Sequence, residues 1–252
     1  MKKKLIVLFT AILAVSMIGC NGAANSDSGE SGAATTNKYE IGDIILNDGT
    51  CLRRVTSVSE TNKEKAIAII YKVDGSKAYG VGLVHNKLGL AWCLDNAKGY
   101  NKNFTDLQCN ISGNTGDLSF TGDTDGSDNF TKITPALGTD DDTGTDGNYP
   151  AFEFAENYKK QQNSHVSGTA YEDKWYLPTM SELFDIWKVK STVDATSRLC
   201  GGTKFSDDFY WSSSQYKEPD FVACGLNFSD GGWGNGSKNW TDPYVCCIRV
   251  FD

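Results

Sequence analysis

Cysteines supply the most reactive side chains of this sequence: Cys20, then Cys51, Cys93, Cys109, Cys200, Cys224, Cys246 and Cys247. An exported chain can oxidise them, and the seven beyond Cys20 permit at most three bridges with one thiol left over. Cys246 and Cys247 form the one close pair. On a strand they point to opposite faces, so one can be core while the other reaches a partner. Arg249 is the one basic group near them that could lower a thiol pKa. The two histidines, His85 and His165, are far apart, and no Cys-x-x-Cys accompanies them, which argues against zinc. Neither histidine has a nucleophile at recognisable spacing, and no Gly-x-Ser-x-Gly or phosphate loop is present. No catalytic residue is therefore predicted, and the chain is not expected to be an enzyme.

Two acid-rich stretches, residues 123–128 and 140–146, resemble the opening of calcium loops, where carboxylates alternating with small residues converge their oxygens on one ion. Neither reaches the closing glutamate of that pattern, and a solvated acidic loop is the simpler reading, so no cofactor is predicted. Recognition chemistry has better material. Tyr216, Trp233 and Trp240 stand among Gly, Asn and Asp where no apolar periodicity asks for them. Asp220, Asn227, Asn235, Ser237 and Asn239 add donors and acceptors around them. Large aromatics with adaptable polar neighbours are what binding surfaces use, and these eight residues are the predicted ligand-binding set.

The formal net charge of -8, with no visible basic patch, excludes nucleic acid as an expected partner. The first twenty residues give an address. Lys2, Lys3 and Lys4 precede an apolar run over residues 5–17 that is too short for a comfortable membrane span, and Gly19-Cys20 ends it. The pattern predicts a lipoprotein signal over residues 1–20 with Cys20 lipidated, the alternative being a secretory peptide that happens to carry a cysteine. Residues 21–37 are small, polar and without aromatics, as a flexible tether would be. Residues 38–252 then form one domain, anchored through lipid to the cell membrane or outer membrane.

That domain must position the recognition residues on β-rich elements. Residues 41–55 read as strand, turn and strand about Asp48-Gly49. Residues 66–73 read as a buried strand ended by Asp74-Gly75, with short strands at 79–84 and 89–93. One helix starts near Pro150 and runs to about Lys160. A second is capped by Thr179, with Glu182 three residues on and Leu183, Ile186 and Trp187 as its apolar face. Residues 174–178 read as a strand leading into that cap. Strands follow at 209–214, 221–228 and 244–251, with residues 231–236 as a glycine-rich turn. In the last strand Tyr244, Cys246, Ile248 and Val250 share one face, and Val245, Cys247, Arg249 and Phe251 the other.

Four segments taken in order, WYLPTMSEL (175–183), YWSSS (210–214), NFSDG (227–231) and VCCIRV (245–250), resemble the signature of the Lcl C-terminal family. Upstream, the Asp- and Gly-rich residues 126–149 and YPAF (149–152) resemble that family's loop and helix start. The resemblance covers residues 149–252 and, more loosely, 78–148. It implies an α+β, C-type-lectin-like fold of the formylglycine-generating-enzyme type, with short antiparallel sheets, two helices and long loops. With the lipoprotein signal and VGLVHNK (81–87), the chain further resembles treponemal variable lipoproteins diversified by retroelements. That likeness implies a display surface over about residues 210–251 and an unknown protein or glycan as partner. Trp175, Leu177, Pro178, Leu183, Trp211 and Arg249 are read as framework, since large apolar residues at strand positions fill cores. Two other readings remain. A calcium-dependent carbohydrate-binding lectin would need a Glu-Pro-Asn or Gln-Pro-Asp triplet, to which Glu218-Pro219-Asp220 is a near miss. A formylglycine-type enzyme would need Cys246 and Cys247 as its reactive pair.

Overall fold

Hydrophobic alternation builds a five-stranded antiparallel sheet in the order β10-β4-β3-β1-β2. Its strands are β1 (Ile44–Leu46), β2 (Cys51–Leu52), β3 (Ala66–Asp74), β4 (Lys77–Gly82) and β10 (Ile248–Phe251). The structure is a computed structural model that describes residues 38–53, 55–86, 89–133 and 147–252. Cys20, the tether and the acidic residues 140–146 lie outside the described residues, which belong to one compact unit, Asn37–Asp252. Asp48-Gly49 turns β1 into β2 as the sequence predicts. Gly49 takes φ +86°, which a side chain would resist, and its N–H donates to the Leu46 carbonyl at 2.9 Å.

Both faces of this sheet are covered, and the period of two assigns each residue its side. Ile44, Ile69, Val81, Cys246 and Ile248 face α4 (Met180–Lys188) and α5 (Lys190–Leu199), among Met180, Leu183, Ile186 and Val193. Ile45, Ile70, Ala78, Cys247 and Phe251 face the other way, into Trp92, Trp175, Trp211 and the buried side of α3 (Pro150–Glu156). The alternation of the last strand is therefore present, but Cys246 and Cys247 are both fully buried. The expectation that one of them reaches a partner is corrected: a second layer covers the face that a one-sided sheet would leave open.

Thr179 caps α4 by accepting the Glu182 N–H at 3.3 Å while the Glu182 carboxylate accepts the Thr179 N–H at 2.9 Å. The same carboxylate accepts the Gly126 N–H and the Tyr176 hydroxyl, tying the helix start to a neighbouring loop and the preceding segment. Helix α5 was not expected from the sequence, because its buried side carries polar residues. Asp194 accepts the Phe205 N–H at 2.8 Å and Ser197 donates to the Thr203 carbonyl at 2.9 Å. Hydrogen bonds replace the apolar stripe that periodicity detects. With short α1 (Glu60–Lys63) and α2 (Asn129–Ile133), the described helices exceed the two expected.

Further corrections are local. Residues 89–93 form no strand, and residues 174–178 make only a bridge from Tyr176 to Ile248. The hairpin of β5 (Cys109–Asn114) and β6 (Asp117–Gly122) stands apart from the main sheet. A three-stranded sheet is built from β7 (Phe209–Gln215), β8 (Val222–Asn227) and β9 (Gly232–Ser237), so the expected glycine-rich turn is mostly a strand. Every second residue of β9 is glycine, and at Gly234 and Gly236 aromatic rings press on that face. A Cβ on Gly234 would lie 3.0 Å from the Phe209 ring, and one on Gly236 would lie 2.7 Å from the Trp240 ring.

Candidate functional site

Removing side chains from one face of β9 leaves the other face to Trp233, Asn235 and Ser237. Trp233 lies beside Tyr216, just past the end of β7, with ring centroids 5.8 Å apart and planes inclined by 33°. The two half-buried rings line a cleft of about 400 Å³ whose other walls are Cys109, Asn110 and Ile111 of β5 and the Lys217-Glu218 turn. An apolar platform is thus bordered by an amide, an ammonium and a carboxylate. This arrangement can stack a flat or ring-shaped ligand and fix its orientation by hydrogen bonds.

Two buried polar residues tie the ends of β7 and β9 to residues 99–104. Gln215, fully buried, donates through Nε2 to the carbonyls of Lys102 and Asp220 and accepts the Phe104 N–H at 2.9 Å. Lys238, also fully buried, donates through Nζ to the Gly99 and Lys102 carbonyls, each at 2.9 Å, with the Trp92 and Phe104 rings 4.9 and 5.3 Å away. Burial pulls its ammonium down to about 8. No sequence signal marks either residue, since a lysine or glutamine near a strand end is ordinarily solvated. Lys238→Met should free residues 99–102 from the end of β9. Amide exchange there is expected to speed up while the β3 amides stay protected, and unchanged exchange at 99–102 would show that the lysine holds nothing.

The predicted ligand-binding residues separate. Tyr216 and Trp233 come together in the cleft, and Asn235 is exposed beside them on β9. Ser237 lies further along, its Oγ 2.9 Å from the Tyr100 hydroxyl and donating to Asn239 at 2.7 Å. Asn227 shapes a turn, accepting the Ser229 N–H and hydroxyl at 2.9 and 2.7 Å. Trp240 packs on the opposite face of the small sheet, against Phe209 and Trp211 at 5.5 and 5.9 Å, with 38% of its surface exposed. Asp220 stands in the loop after β7, where its carbonyl is taken by Gln215 and the Pro219 carbonyl by the Val222 N–H. These two carbonyls therefore face protein donors.

No protein-family model matches the sequence, and no curated protein matches it. The fold does resemble a solved one. A fimbrial protein from Bacteroides ovatus, known from a crystal structure, superposes with a TM-score of 0.55 at 15% sequence identity. The match covers 85% of this chain and 49% of the fimbrial protein, so the chain spans about half of that protein's length. At this identity the likeness is one of fold: α+β, with antiparallel sheets and few helices.

The remaining candidates for chemistry sit elsewhere. Among the described residues no three His, Cys, Asp or Glu side chains stand together as a metal site. In the first acidic stretch Asp123 is engaged by Asn129 and Lys132, and Asp125 accepts the Ser127 N–H. None of the seven described cysteines is in a disulfide. Burial pushes the Cys246 and Cys247 thiols well up, away from the thiolate form a reactive pair requires, while the Cys200 thiol is pushed up to about 11.

Proposed function

We propose that this chain is a surface lipoprotein that binds an extracellular protein or glycan through the Tyr216–Trp233 cleft, on a C-type-lectin-like domain held at the membrane by lipid on Cys20. The observation that carries the reading is the side-by-side placement of two half-buried aromatic rings in a cleft with polar walls. The likeness to a fimbrial protein agrees with a surface location, and the meeting of the Tyr39 hydroxyl with the Asp252 carbonyl, at 3.2 Å, agrees with a lectin-like domain whose first and last segments lie together. The variation expected of retroelement-diversified relatives would fall on residues 210–251, which include both rings.

A glycan and matrix-protein array probed with residues 38–252 tests the cleft. Wild type should retain a defined subset of spots, and Trp233→Ala or Tyr216→Ala should weaken retention by about tenfold or more, as loss of an aromatic anchor does. Capture in EDTA should be unchanged. Variants that melt normally and still bind as wild type would remove the cleft from the binding surface. The anchor has its own test: full-length protein should partition into detergent, and Cys20→Ser into water. Equal partitioning would defeat the lipid assignment.

A further inference from the structure

A second cleft, sharing no residue with the first, carries an unpaired buried cation. Arg249 lies in β10 opposite Gly80 and is only 8% exposed. Among the described residues no carboxylate pairs with it, and its Nε and Nη1 are buried without a hydrogen-bond partner. Its guanidinium carbon sits 5.3 Å from the Tyr171 ring and 5.9 Å from the Phe251 ring, contacts that only partly replace lost water. Buried guanidinium groups are ordinarily matched by an anion. This one lines a cleft of about 580 Å³ that also holds exposed Lys77 and Lys174, neither of which makes an ion pair there.

We propose that this cleft binds a ligand through a single carboxylate, paired with Arg249 and assisted by Lys174. The cleft's own acids select against a denser anion. Asp125, Glu156 and Asp252 line it as well, so its three cations face three acids, and a doubly charged sulfate or phosphate monoester would meet more repulsion than a singly charged carboxylate, which can also bring hydroxyl or amide hydrogens. Those hydrogens have acceptors in Asp125 and Glu156. An acidic sugar and a peptide C-terminus present the same chemistry.

Calorimetric titration of the full chain with D-glucuronate and with N-acetyl-dialanine, each against its neutral counterpart, glucose or N-acetyl-dialanine amide, tests this. At least one carboxylate should bind saturably, about tenfold or more tighter than its counterpart, and which one binds names the source. Arg249→Met keeps an unbranched apolar side chain beside the two rings and should weaken binding by about tenfold or more. Lys174→Gly provides a second variant that the fold tolerates, because Lys174 has φ +67°, a conformation glycine takes without strain. It should weaken the carboxylate and leave the neutral compound unaffected. The proposal is overturned if neither carboxylate binds wild type, if the neutral counterparts bind equally, if a folded Arg249→Met binds unchanged, or if Lys174→Gly binds unchanged.

Discussion

Trp175→Ala is expected to lower the unfolding free energy by about 3–5 kcal/mol, among the largest losses that a single truncation in this domain can give. The indole is 1% exposed and packs between two aromatic neighbours, Tyr158 at 4.5 Å and Phe251 at 6.3 Å between centroids. Its Nε1 donates to the Tyr171 carbonyl at 2.7 Å. Truncation removes apolar burial, opens a cavity between α3 and the main sheet, and leaves that carbonyl unpaired. Trp175→Phe keeps most of the volume and should cost less. Chemical denaturation of the two variants decides the matter. A loss under about 1 kcal/mol for Trp175→Ala would mean that the ring is not framework, since such small changes are usual at exposed positions.

Glu182→Ala should destabilise the domain by a similar amount, for a polar reason. One carboxylate serves the Gly126 N–H at 3.1 Å, the Thr179 N–H and hydroxyl at 2.9 and 3.0 Å, and the Tyr176 hydroxyl at 2.9 Å. Removing it strands several buried donors at about 1–3 kcal/mol each. Glu182→Gln retains an acceptor of the same shape, and its amide can donate to the Tyr176 oxygen, so it should be far milder.

The two variants also separate a pH effect. Burial raises the Glu182 carboxyl from 4.5 to about 7, outweighing the hydrogen bonds that favour its charged form. The folded state then holds a proton that the unfolded chain has released. This contribution is fully present below about pH 4.5 and is lost as pH rises through about 7, a change of about 3 kcal/mol. His85 acts in the opposite sense. Burial holds its imidazole down to about 3, so its contribution is present above pH 6.5 and is lost as pH falls towards 3. The difference between wild type and Glu182→Gln isolates the carboxyl: wild type should lose stability relative to the variant between pH 5 and 7.5. A constant difference across that range would place the Glu182 proton elsewhere.

Signals that act within a few residues were legible in the sequence. Asp48-Gly49 dictates its turn because the bend needs a positive φ. Thr179 and Glu182 cap α4 because a helix start leaves its own N–H groups unpaired. Period-two alternation divided residues 244–251 between the two faces of a sheet. Trp175, Leu177, Leu183 and Trp211 were recognisable as core by type, and all four are buried.

What sequence could not decide is which other segment covers each of those faces. Cys246 and Cys247 are both sealed because helices α4 and α5 lie on one side of the sheet and α3 with Trp92, Trp175 and Trp211 on the other. Residues 232–237 extend as a strand because rings from β7 and the segment after β9 fill the space that their glycines vacate. Tyr216 and Trp233, seventeen positions apart, meet only through the pairing of β7, β8 and β9, which sends Trp240 to the opposite face. The unpaired state of Arg249 is likewise invisible along the chain, where Asp252 stands three residues away. Local spacing fixes turns, caps and strand faces through contacts a few ångströms long, whereas burial and ion pairing depend on partners brought together by the whole fold.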